Sequence, residues 1–150
     1  MYRVLLVEDD AALRHLYTHM HAWQEQGFCL AAEAEDGRKA LEKLDAECFD
    51  LIVTDIHMPF IDGLELLRAL RQRKNNTPVV LVGSYGEFEY AREGLVLGAV
   101  SYTHLSIRQR PRCRTIWPKA LPCPRRWPKA VWCQALRSAA CVRLDDRPLS

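Results

Sequence analysis

Residues 50–63 read Asp50-Leu51-Ile52-Val53-Thr54-Asp55-Ile56-His57-Met58-Pro59-Phe60-Ile61-Asp62-Gly63. An apolar run, Leu51-Ile52-Val53, leads through Thr54 to one carboxylate, Asp55. The turn chemistry of Met58-Pro59 and Asp62-Gly63 follows. A short continuous apolar run bounded by turn signals predicts a strand buried on both faces. Asp55 then stands at that strand's carboxyl end, at the mouth of a loop. Upstream, Val4-Leu5-Leu6-Val7 has the same character and ends on Glu8-Asp9-Asp10. Downstream, Val79–Val82 ends on Gly83-Ser84.

Helical periods lie between these runs. Asp10 is placed as an N-cap. Leu13, Leu16, Tyr17, Met20 and Trp23 follow at helical spacing, read as one inward face of a helix that Gly27 stops. Phe28–Ala34 reads as a second strand. Arg38–Glu47 reads as a helix with Ala40, Leu41 and Leu44 inward. Leu64, Leu67 and Leu70 mark a third helix, and Glu87–Leu97 a weaker fourth. Asn75-Asn76-Thr77-Pro78 is a break, and Gly98-Ala99-Val100 would start a fifth strand. Strands alternating with helices predict an α/β, doubly wound, parallel five-stranded sheet with helices on both faces.

Such sheets bind ligands at the carboxyl ends of their strands. Here those ends carry Glu8-Asp9, Asp55 and Gly83-Ser84. If the first and third strands are neighbours, three carboxylates crowd together, which is costly unless a cation sits among them. A hard ion such as Mg²⁺ takes one or two carboxylates, keeps waters and receives phosphate oxygens. An aspartate can itself be the nucleophile, forming an aspartyl-phosphate. An acidic pair after a strand is also an ordinary helix-capping device; that suffices for Asp10 but leaves Asp55 unexplained.

Val4–Asp10, the run Asp50–Pro59, Asp62-Gly63, the segment Gly86-Glu87-Phe88-Glu89-Tyr90-Ala91 and Leu97–Val100 together resemble the receiver domain of two-component response regulators. The resemblance covers residues 2 to about 100. It implies a flavodoxin-like receiver with Asp55 as phosphoacceptor and Glu8, Asp9 and Asp55 as Mg²⁺ ligands. The backbone carbonyl of His57 joins them, while its imidazole is incidental. Pro59 and Gly63 shape the adjoining loop. The implied donor is a phosphohistidine on a sensor histidine kinase, with a receiver homodimer as a further partner. DNA contact comes only through an output domain outside this chain. The Gly86–Arg92 segment resembles receivers that precede helix-turn-helix domains, so the complete protein is expected to control transcription.

Two departures stand out. The family carries Thr or Ser at the end of the fourth strand, to bind the phosphoryl group; that position is Gly83, with Ser84 one residue late. After Gly98-Ala99-Val100 the family has an acid, an aromatic, two apolar residues and Lys-Pro. Here the run is Ser101-Tyr102-Thr103-His104-Leu105-Ser106. Tyr102 fits the aromatic switch position, but Leu105 stands for Lys and Ser106 for Pro. Arg108 lies past the strand end.

Composition breaks at the same point. Residues 1–100 hold 10 Lys+Arg against 17 Asp+Glu, and residues 101–150 hold 11 against two. The overall charge of +2 thus sums an acidic part and a basic one. The second part also holds four of six Cys, six of eight Pro and three of four Trp. Residues 107–128 alone hold five Pro, and Pro this dense forbids a helix or a central strand there. Three readings compete: a basic arm for nucleic acid, a disordered linker, and a run of GC-rich codons read out of frame. The third is favoured, because the family pattern fails in mid-strand. The expected division is a receiver over 1–105 with its last helix absent or replaced by an irregular tail over 106–150, no native domain. Val131, Ala135, Ala139 and Val142 have helical spacing but are not relied on.

No run approaches the roughly 20 apolar residues that span a bilayer, and the reading is of a cytoplasmic chain with no membrane partner. Cys29 and Cys48 are expected to be buried free thiols, and the tail cysteines lack zinc spacing. The domain reads as a switch, not an enzyme. An Asp-nucleophile phosphatase is a rival, but such enzymes place a second Asp where His57 stands. A pseudo-receiver, a binding module that no longer switches, is the other.

Overall fold

The computed structural model describes residues 1–19, 22–83, 88–99 and 101–104. Its elements are β1 (Tyr2–Val7), α1 (Ala11–Thr18), α2 (Ala22–Glu25), β2 (Phe28–Ala34), α3 (Gly37–Ala46), β3 (Leu51–Asp55), α4 (Gly63–Gln72), β4 (Val79–Gly83), α5 (Phe88–Val96) and β5 (Ser101–His104). The strands form one sheet in the order β2-β1-β3-β4-β5, every neighbouring pair parallel. The α/β parallel architecture expected from the alternation is therefore present. β5 begins at Ser101, after a turn in which Gly98 takes a φ of +86°.

The central strands are apolar because both faces are covered. Val4–Val7, Ile52 and Val79–Val82 are all buried. On one face, Leu5, Val7, Ile52, Val79 and Leu81 meet Ala40 of α3 and Leu64, Leu66, Leu67 and Leu70 of α4. Each fully buried Leu contributes roughly 1.5–3 kcal/mol of transfer free energy. α4 starts on a capping box that the sequence reading passed over as loop chemistry. Glu65 N–H donates to Asp62 Oδ1 (2.7 Å), and Asp62 N–H donates to Glu65 Oε2 (3.1 Å).

The first helix departs from expectation. Asp10 does cap it, accepting from Ala12 N–H and Leu13 N–H. The single helix predicted as far as Gly27 is instead two elements, α1 and the four-residue α2. Side-chain bonds to backbone carbonyls mark the last turn of α1. Thr18 Oγ1 donates to Arg14 O (2.7 Å), and Trp23 Nε1 donates to Tyr17 O (2.8 Å). Of the predicted inward stripe Tyr17 is buried, but Leu13 and Leu16 are 36% and 40% exposed. Met20 lies outside the described residues. Cys48 is exposed and Cys29 half-buried, against the expectation for both. Cys48 sits in the turn before β3, where its carbonyl accepts from Arg3 Nε (3.2 Å).

Candidate functional site

The site lies where β1 and β3 end. Their register pairs Val4 with Leu51 and Val7 with Thr54, so Glu8, just past β1, and Asp55, the last residue of β3, come side by side. Glu8, Asp9 and Asp55 each offer a carboxylate oxygen, and these oxygens lie within 4.8 Å of one another. Glu8 is buried, Asp9 exposed and Asp55 half-buried. The carboxyl of Glu8 is raised to about 7, first by burial and then by the negative charge of Asp55. The same burial and the same two acids raise the hydroxyl of Tyr17, which packs behind the cluster from α1.

Two of the acids are held by backbone amides just downstream of them. Glu8 Oε1 accepts from Asp10 N–H (3.3 Å), and Asp55 Oδ1 accepts from Ile56 N–H (2.8 Å). The carbonyl of Asp55 accepts from the buried Thr54 hydroxyl (2.9 Å). Gly63 packs against that same carbonyl so closely that a Cβ there would overlap it. Gly63 N–H closes the loop by donating to Ile56 O (2.8 Å). Within the loop, Ile61 N–H donates to Pro59 O (2.9 Å), and Phe60 takes a φ of +69°. That is a three-residue γ-turn of the uncommon hand. The Arg38 guanidinium covers the exposed Phe60 ring at 3.7 Å from its centroid.

All-oxygen donors from two carboxylate loops fit a hard divalent ion such as Mg²⁺. Three crowded acids repel one another, and a bound cation would relieve that repulsion. His57 is exposed, its ring edge-on to Tyr90 at 5.1 Å between centroids. Gly83 ends β4, one residue past Val82, which pairs with Asp55. It brings no hydroxyl. Ser84 lies outside the described residues, as do Leu105, Ser106, Arg108 and the whole tail. The backbone of Tyr102 pairs with Leu81; its ring lies outside what is described.

The sequence reading did not single out Arg14. Its Nη1 donates to Glu8 O (2.6 Å) and Asp9 O (3.4 Å). Thr54 and Tyr17 were read as strand and core residues, and nothing in the strand or helix periods marks them as neighbours of the acids.

A family model described as the response regulator receiver domain matches residues 4–109. The chemotaxis protein CheY of Pseudomonas aeruginosa is 33% identical over 102 residues, which are 67% of this chain and 81% of that protein. The transcriptional regulatory protein YesN of Bacillus subtilis is 30% identical over 102 residues, 68% of this chain but only 28% of YesN. The chain thus spans a minor part of the longer curated relatives. Among solved structures, the receiver domain of AraT from Geobacillus stearothermophilus matches with a TM-score of 0.62 and 33% identity, covering 69% of this chain and 80% of that one. The response regulator TrrA from Thermotoga maritima, solved with Mg²⁺-BeF, matches with a TM-score of 0.60 and 30% identity, covering 72% and 90%.

Proposed function

This chain belongs to the receiver-domain family of response regulators, and on that premise we propose that it accepts a phosphoryl group on Asp55 in a Mg²⁺-dependent step. The observation that carries the reading is the meeting of the Glu8, Asp9 and Asp55 carboxylates at the ends of two adjacent parallel strands. Glu8 and Asp9 would hold Mg²⁺ together with Asp55 and the backbone carbonyl of His57. The ion, when bound, neutralises the oxygens of the transferring group. The Ile56 amide orients the Asp55 carboxylate by binding Oδ1. The donor is a phosphohistidine on a sensor histidine kinase. Its P–N bond breaks as an Asp55 oxygen forms the new P–O bond, and the departing imidazole takes a proton. Pro59 and Gly63 keep the loop closed behind the acceptor.

The domain acts as a switch in a cytoplasmic phosphorelay and not as an enzyme in its own right. In the complete protein it controls transcription through a DNA-binding output domain outside this chain, with a second receiver as a further partner. The receiver occupies 1–105, and 106–150 is not a native domain. Ser84 and Tyr102 are the residues that would report the phosphoryl group.

A second reading, the pseudo-receiver, is favoured by one observation. β4 ends on Gly83, which cannot offer the hydroxyl that would bind a phosphoryl oxygen. Incubating the full chain with acetyl phosphate and Mg²⁺, followed by mass spectrometry, separates the readings. A lasting phosphoryl adduct on Asp55, lost in Asp55→Asn and without Mg²⁺, is the expected result. Rapid turnover of the donor without an adduct points to a phosphatase. No adduct and no turnover leaves the pseudo-receiver.

A further inference from the structure

Adjacent residues of an extended strand point to opposite faces. Glu8 and Asp9 are adjacent, yet their carboxylate oxygens come within 4.8 Å of each other and of Asp55. The chain must therefore leave the strand conformation between them, and its peptide groups there lose their sheet partners. The N–H of Glu8 still donates to Ala34 O (3.0 Å), across to β2. The carbonyls of Glu8 and Asp9 are taken up by Arg14, which spans both with one guanidinium nitrogen, at 2.6 and 3.4 Å. The guanidinium is fixed on another side, with Nε 3.6 Å from Glu33 Oε2 on β2. Its backbone is fixed as well, since Arg14 N–H donates to Asp10 O (2.9 Å) and Arg14 O accepts from Thr18 Oγ1 (2.7 Å). The side chain is only 20% exposed.

We infer that Arg14 is a positioning residue for the cation site: its guanidinium clamps the Glu8 and Asp9 carbonyls and so aims two consecutive carboxylates at one point. This rests on the reading of Glu8, Asp9 and Asp55 as Mg²⁺ ligands. Arg is suited to the task because its planar fork can meet carbonyls and a carboxylate at once, which a Lys ammonium does less well. The geometry recorded for Arg14 uses the backbone oxygens of the two acids and leaves their carboxylates to the ion.

The sign of the effect separates this role from simple charge. Removing a cation beside an acidic cluster should tighten Mg²⁺ binding by relieving repulsion. Loss of a clamp should weaken it, and outer partners of metal ligands typically contribute about 10- to 100-fold in affinity. The test is Mg²⁺ titration by calorimetry on the full chain, wild type against Arg14→Ala and Arg14→Lys. About tenfold weaker binding in Arg14→Ala, with partial recovery in Arg14→Lys, is expected. Unchanged or tighter binding in a folded Arg14→Ala protein overturns the proposal. If Arg14→Ala does not fold, Arg14→Lys decides alone, and wild-type affinity there overturns the clamp. Amide hydrogen exchange without Mg²⁺ is measured in parallel. Faster exchange at Asp9 and Asp10 in the variant, with β3 and β4 unchanged, is required. If the wild type binds no Mg²⁺, the metal reading falls, and this exchange pattern still decides whether Arg14 holds the loop.

Discussion

At the amino ends of the strands, the half-buried guanidinium of Arg71 donates to the carbonyls of Asn75 (2.7 Å), Thr77 (3.3 Å) and Gly98 (2.9 Å), tying the end of α4 to the turns before β4 and β5. Nearby, Asp50 accepts from Arg3 N–H (2.8 Å), and Thr77 N–H and hydroxyl both donate to Asn75 Oδ1. At the carboxyl ends, three acids meet with like charge, and one has its pKa raised to about 7. One end pairs its polar groups with one another; the other gathers groups that repel. On the proposed function, the repulsion at the second end is stability given up in exchange for a place where a cation and a phosphate would be welcome. Removing a charged group should therefore have opposite signs at the two ends.

The largest effect expected is at Gly63. Gly63→Ala places a methyl on the Asp55 carbonyl and should cost about 3 kcal/mol by denaturant unfolding; a loss under about 1 kcal/mol would mean that the loop yields freely. Next is the amino end. Arg71→Met deprives three carbonyls of their donor and should destabilise by about 2 kcal/mol. A neutral result there would erase the contrast.

Glu8 sharpens the comparison through pH. Its folded pKa, about 7, lies above the ordinary 4.5. The folded state then holds the proton more tightly than the unfolded chain. Its contribution to stability is fully present below about pH 4.5, declines between there and pH 7, and is gone above. Saturating Mg²⁺ should remove that decline, and Glu8→Gln should abolish it. Mg²⁺ must displace the same proton, so its affinity should fall by roughly tenfold per pH unit below 7. Calorimetry at pH 6 and 8 that gave equal affinities would refute the assignment. The smallest effect is at Asp9. Asp9→Asn, in low salt, at pH 8 and without Mg²⁺, should stabilise by about 0.5 kcal/mol, the reverse of Arg71→Met. Thermal melts would detect the sign.

The strand ends were legible because a buried strand must be apolar, so the first carboxylate after Leu51–Val53 announces where the sheet stops. The adjacency of β1 and β3 was legible only as a condition: if the strands were neighbours, the acids would meet. Helix α1 was misread because periodicity records which side chains are apolar and not what ends a helix. Leu13 and Leu16 keep the spacing of an inward stripe, while the Trp23 indole donates to Tyr17 O at the end of α1. Arg14 was invisible for a related reason. Its partners are backbone oxygens five and six residues earlier, across a turn, which no periodic pattern reports. Asp62 and Glu65 carried a readable box signature that the eye for loop residues passed over.

The β1–β3 register has a consequence for how the site comes into being. Val4 pairs with Leu51, so the two halves of the acidic cluster are brought together by contacts 47 residues apart in the chain. The cluster is complete only once β1 and β3 have paired, so during synthesis Glu8 and Asp9 wait for the third strand to emerge. If the cluster takes Mg²⁺ as proposed, the ion binds only what is already assembled and should lengthen the life of the folded state more than it hastens its arrival.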